Sequence, residues 1–137
     1  GGYMHTTDDR TPVTFITRYY LDKIKRLCDA HGTKLLFVTA PSPVNHTMQR
    51  HNEVQALADA LAVPYLDLNL NTEELGIDWN LDTLGGDHLN YTGCQKATAY
   101  LQWYMQTHYT LPDRRDDVRY EAWNKQAEEF EKLLPQP

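Results

Sequence analysis

The sequence predicts an α/β fold, a short parallel sheet with helices packed against its faces. Two observations predict it. Helix-period segments alternate with short strand-like segments across brief connectors, which is the pattern of βαβ units. The run Leu35-Leu36-Phe37-Val38 is apolar on both faces, as a strand covered on each side must be. A right-handed crossover then sets this strand and the next one parallel in one sheet.

Each element has its own warrant. Residues 1–12 are polar and irregular and close on Pro12. Over residues 14–31, Ile16, Tyr20, Ile24, Leu27 and Cys28 recur at helical spacing, and Gly32 supplies the stop. The strand at residues 35–38 ends on Ala40-Pro41-Ser42-Pro43. A second helix follows with Val54, Leu57 and Leu61 on one face, and Pro64-Tyr65-Leu66-Asp67-Leu68 forms the next strand. Residues 69–91 read as a long loop with one helical turn near Glu73, and loops of that length are often functional. Residues 92–109 are helical, with Ala97, Leu101, Tyr104, Met105 and His108 on one face. Pro112 breaks the chain, and a last helix over residues 116–134 aligns Trp123, Ala127, Phe130 and Leu134. The organisation is thus an irregular segment (1–12), an α/β body (13–111) and a helical extension (112–137).

Composition narrows the function. The chain has 137 residues, enough for one modest core. Its 19 acidic residues against 13 basic ones, a formal charge of -6, argue against nucleic acid as the partner, which needs a basic face. Lys23, Lys25 and Arg26 alternate with apolar residues and read as a solvated helix face. Cys28 and Cys94 have no metal-like spacing and sit in apolar helical patterns, which predicts buried free thiols. No apolar run reaches the length of a membrane span. The opening Gly1-Gly2-Tyr3-Met4 is no signal peptide and reads as the edge of an excised or processed piece. With only two strands apparent, exposed edges predict self-association, an added strand from the N-terminal residues, or closure by the long helices.

The most chemical stretch is Gly85-Gly86-Asp87-His88-Leu89-Asn90-Tyr91-Thr92-Gly93. Histidine can take up and return a proton near neutral pH, and a neighbouring carboxylate can orient it. In a parallel α/β sheet ligands collect outside the carboxyl ends of the strands, where the residue 40–43 turn and the loop after Leu68 belong. His88 lies at the far end of that loop.

These residues resemble a known family. Asp87-His88-Leu89-Asn90-Tyr91-Thr92-Gly93, followed by Lys96 and a helix, resembles the final motif block of the SGNH/GDSL hydrolases, often D-x-x-H followed by L-N-x-x-G. Leu35–Val38 running into Thr39-Ala40-Pro41-Ser42-Pro43 resembles the family's late strand and its Thr-Pro-Pro-type turn. Val63-Pro64-Tyr65-Leu66-Asp67-Leu68 resembles its following short strand, and the match covers residues 14–109. The resemblance implies a three-layer α/β/α, partly flavodoxin-like fold, with acyl-ester chemistry and no cofactor. A serine would attack the ester carbonyl, His88 would act as general base and then general acid, and donors would stabilise the oxyanion. Hydrolysis and acyl transfer both fit. Carbohydrate-type esters of the cell envelope are the favoured substrates, since no lipid-sized apolar lid is visible, and the location implied is extracytoplasmic.

Two departures follow from the residues themselves. The position three before His88 is Gly85, so the acid is Asp87 or Asp82, with Asp78 a third candidate. The family's serine, glycine and Gly-x-Asn-Asp blocks precede the late strand, but the residues before Leu35 contain threonines and no serine. Ser42 is the only serine and, between two prolines, reads as a turn residue rather than a nucleophile. The expectation is the acid-base half of a larger hydrolase, inactive as an isolated chain. Two other readings stay open. One is a non-catalytic carbohydrate-binding module, for which Tyr100, Trp103, Tyr104 and Tyr109 offer stacking rings. The other is a metal site from His46, His51 and His88, although the five-residue spacing of the first two does not place them on one helix face.

Overall fold

A computed structural model of the chain describes residues 3–134. It is mixed α/β, in the order α1 (Phe15–Ala30), β1 (Phe37–Thr39), α2 (Met48–Leu61), β2 (Tyr65–Asp67), α3 (Thr72–Leu75), β3 (Thr83–Leu84), β4 (His88–Leu89), α4 (Tyr91–His108) and α5 (Glu121–Leu133). The chain divides into two compact units, one up to Leu101 and one from Gln102 on. No helix among the described residues is long and apolar enough to cross a membrane.

The first unit is built on β1–α2–β2. The two strands pair in parallel, with Phe37 opposite Tyr65, Val38 opposite Leu66 and Thr39 opposite Asp67. Their carboxyl ends therefore place Thr39 and Asp67 side by side. Thr47 caps α2 by accepting from the Arg50 amide, and Ala62 ends that helix in the left-handed conformation. The core is small: Leu57 and Ala58 of α2, Val63 and Leu66 around β2, then Leu68, Leu75 and Ala97. Burial of a few aliphatic side chains contributes roughly 1.5–3 kcal/mol each, so this core leaves little reserve.

The strand at residues 35–38 is displaced to Phe37–Thr39 and has a partner on one edge only. Among the described residues no third strand joins it, and the N-terminal segment runs without strand structure over α2. There the Thr11 amide donates to the Gln49 carbonyl, and the Asn52 side chain donates to the carbonyls of Thr7 and Asp9. None of the apolar side chains of α1 is buried; Phe15, Ile16, Tyr20 and Leu27 stay more than half exposed. A two-stranded sheet is too narrow to cover them. Cys94 is likewise exposed rather than buried, and both thiols are free.

The long loop contains more structure than its sequence suggested. After α3 it forms an antiparallel pair, with Thr83 opposite Leu89 and Leu84 opposite His88. Two consecutive residues in the connecting turn have positive φ, Gly85 at 65° and Gly86 at 80°, a backbone that residues with a Cβ adopt only at a cost. The turn, not the chemistry, selects glycine at position 85. Behind it, the Asn90 side chain caps α4 by accepting from the Gly93 amide and donates to the Leu81 carbonyl. Gly93 sits so close to the neighbouring loop that a Cβ there would stand 2.2 Å from the Asp82 carbonyl oxygen. The Leu-Asn-x-x-Gly motif is thus a cap and a close approach.

In the second unit a short turn over Val118–Tyr120 leads into α5, which begins at Glu121, later than the sequence suggested. Asp117 caps the turn and pairs with Arg119 and Arg114.

Because the Asp82 carbonyl is backbone and cannot swing away, Gly93→Ala is expected to destabilise the protein by about 1–3 kcal/mol, as overpacking does. Urea unfolding of the two proteins checks this; an unchanged midpoint would contradict the close approach.

Candidate active site

The carboxyl end of β2 carries a buried carboxylate, Asp67, whose side chain is 1% exposed. Five donors meet it. Oδ2 accepts from His46 Nε2 and His51 Nδ1, each at 2.8 Å, and from the Tyr65 hydroxyl at 3.1 Å. Oδ1 accepts from the Asn69 amide and the Asn69 side chain, at 3.0 and 2.7 Å. Burial alone would raise the Asp67 carboxyl; the two Asn69 donors, then His51 and the charge of His46, more than offset it and hold the group below its ordinary value. An ionised carboxylate only accepts, so the proton of His46 sits on Nε2 and that of His51 on Nδ1. Burial, with the charge of Asp67, pushes the Tyr65 hydroxyl up. His46 and His51 meet here although they share no helix face: His46 lies in the loop before α2 and His51 in its first turn.

Asn69 passes this order on. Its Oδ1 accepts from the Ser42 amide at 2.8 Å and its Nδ2 donates to the Ala40 carbonyl at 3.0 Å, which fixes the loop leaving β1. The same Oδ1 accepts from the Tyr3 hydroxyl at 2.6 Å, and the Tyr3 ring meets Trp79 edge-on at 5.6 Å.

From the other side, Asp87 grips the same loop. Its carboxylate accepts from the Ser42 hydroxyl at 2.6 Å, the Val44 amide at 3.1 Å and the Asn45 side chain at 2.5 Å. The Ser42 hydroxyl, above all, holds Asp87 below the ordinary carboxylate range; burial opposes it, and Val44 and Asn45 assist. The next residue, His88, has a side chain 78% exposed, with Nδ1 3.7 Å from Asp87 Oδ2. That is charge proximity without a hydrogen bond. Asp82 turns elsewhere: it pairs with Lys96 at 2.5 Å and accepts from the Thr92 hydroxyl and the Asp78 amide, each at 2.8 Å. Lys96 first, then the Asp78 amide and Thr92, lower its carboxyl to about 2. Asp78 uses its own side chain to accept from the Asn80 and Leu81 amides.

The structure therefore brings Asp87, Ser42 and His88 to the rim of the parallel sheet, while Asp82 ties the loop to α4 and Asp78 shapes the turn before the hairpin. His88 does not join His46 and His51, and among the described residues no group of three or more His, Cys, Asp or Glu side chains is placed to hold a metal ion. Of the aromatic side chains on α4, the Tyr100 hydroxyl donates to Glu74, the Tyr104 ring lies 4.3 Å from His108, and Trp103 is about half exposed. Sequence reasoning missed Asp67, Asn69 and Tyr3. The Asp-x-Asn spacing directly after a strand was the available signal, since an aspartate there can accept from the amide two residues on.

Replacing Asp67 by asparagine leaves one acceptor oxygen for donors that now share two. Asp67→Asn is expected to cost about 1–3 kcal/mol in urea unfolding, the usual penalty for unsatisfied buried groups; unaltered stability would contradict the network. Asp82 makes a second prediction, on pH. Its carboxyl is lower in the fold than its ordinary 3.8, so its stabilisation is complete above about pH 4 and fades as pH falls toward 2. Asp82→Asn is expected to flatten the acid side of the stability curve in that window, and an unchanged slope would exclude the assignment.

Comparison with protein-family models, with curated proteins and with solved structures gives no match for this chain.

Proposed function

We propose that His88 is the proton-transfer residue of an SGNH-like ester-processing site, within a three-layer α/β/α domain to which this chain contributes the β1–α2–β2 unit and the histidine hairpin. One observation carries the reading. Asp87, adjacent to His88, is bound by three donors from the loop at the carboxyl end of β1, so the exposed imidazole stands where ligands of parallel sheets collect. In the reaction, His88 takes the proton of an attacking hydroxyl as its oxygen bonds to the ester carbonyl carbon. It returns that proton to the departing alkoxide when the original ester bond breaks.

Ser42 is not that hydroxyl. Its proton is directed at Asp87, a carboxylate held below its ordinary value and so a poor base. The nucleophile in this reading comes from outside the chain, and Asp87 is the positioning acid. Carbohydrate esters remain the proposed substrate class; hydrolysis and transfer differ only in whether water or a sugar hydroxyl accepts the acyl group. The gap of 3.7 Å between Asp87 and His88 favours the second reading, a binding module that keeps the rim without proton transfer.

Two measurements separate these. The isolated chain is expected to leave a chromogenic acetyl ester at its background rate; turnover that vanished in Ser42→Ala would overturn the external nucleophile. In a polypeptide that contains this chain and turns over acetyl esters, His88→Ala is expected to lower kcat/KM by about 10³-fold or more with the fold intact by circular dichroism. Normal turnover would leave only the binding module.

A further inference from the structure

A cleft lies at the carboxyl end of β1, on the side of α1 and α2. It has a volume of about 520 Å³ and is bordered by Thr14, Thr17, Thr39, His46, Arg50 and Val54, among others. Its polar lining is one-sided. Although the chain carries 19 acidic residues, the described residues bordering this cleft include threonine hydroxyls, an imidazole and a guanidinium but no aspartate or glutamate. Two buried carboxylates stand close in the chain or in space and are engaged elsewhere: Asp67 with five donors, and Glu53, between Arg50 and Val54 on α2, with Arg18.

The lining is also held in place. His46 is 7% exposed and its Nε2 is fixed on Asp67, which leaves Nδ1 as the ring's remaining nitrogen. The hydroxyls of Thr14 and Thr17 are 2.9 Å apart. Thr39 is the last residue of β1, its hydroxyl 2.9 Å from that of Tyr65. Arg50 uses one guanidinium nitrogen on the Asn45 carbonyl, and its other N–H groups remain for a ligand. Threonine hydroxyls, which can donate, around a guanidinium suit an oxygen-bearing anion.

We propose that this cleft is a small-oxyanion site, with Arg50 as the charged anchor and the threonine hydroxyls as its polar donors, His46 being held in the wall by Asp67. The ligand chemistry is a phosphate or carboxylate group, free or as the head of a larger molecule. The site is separate from His88 and stands whether or not the ester reading holds.

The test is an amide-resolved NMR titration of the full chain with inorganic phosphate and, in a parallel arm, acetate, at constant ionic strength. Saturable shifts are expected at Thr14, Thr17, Thr39, His46 and Arg50, and the tighter arm names the head group. Arg50 is exposed, so Arg50→Gln should fold and is expected to weaken binding about tenfold or more, with Arg50→Lys retaining part of it. Absence of saturable shifts in both arms would overturn the proposal, as would binding that Arg50→Gln leaves unchanged.

Discussion

A carboxylate buried at the end of a two-stranded parallel sheet has to be met by hydrogen bonds, and the order of the first unit follows from how Asp67 is met. Two imidazoles, a phenol and both donors of Asn69 converge on it. Removing water from a charge costs several kcal/mol unless partners replace it, so each donor is drawn to a defined place. His46 brings in the loop after β1, His51 the first turn of α2, and Asn69 the backbone of Ala40 and Ser42. With a core of only a few aliphatic side chains, polar convergence does positional work that a wider sheet would obtain from packing.

The second carboxylate extends this order. Asp87 holds the face of the same loop that Asn69 leaves free, so Ser42 is fixed by its amide from one side and by its hydroxyl from the other. A serine so fully engaged shapes the strand end. The imidazole of His88 is left exposed beside Asp87 without a hydrogen bond to it.

How much of this the sequence reveals depends on the range of the interaction concerned. Helical spacing and a both-faced apolar run located α1, β1, α2, β2, α4 and α5 to within a few residues, because those signals are local. The turn role of Ser42 was also legible, from its flanking prolines. The meeting of His46 with His51 was not. It is made by a third residue, Asp67, 21 and 16 positions away, and no periodicity encodes it. The exposure of α1 is not legible for a related reason: its apolar positions specify a face, but whether anything covers a face depends on the width of the sheet. The hairpin of β3 and β4 is only two residues deep on each side, too short for alternation to show.

Position 85 shows how the hairpin constrains what can precede the histidine. An acid three residues before the histidine would occupy a backbone with φ of 65°, which a side chain disfavours by about 1–2 kcal/mol. Leu84 and His88 are paired across this turn, so straightening residue 85 to admit an acid would disturb the pairing that presents the imidazole. Glycine at 85 keeps the hairpin, and the burden of a neighbouring charge moves to Asp87, whose oxygens are turned toward Ser42, Val44 and Asn45. Motion of 0.5–1 Å, ordinary for an exposed side chain, would bring His88 Nδ1 from 3.7 Å to hydrogen-bonding range of Asp87. Asp87 thereby links the Ser42 loop, and through Asn69 the buried Asp67, to the position of His88.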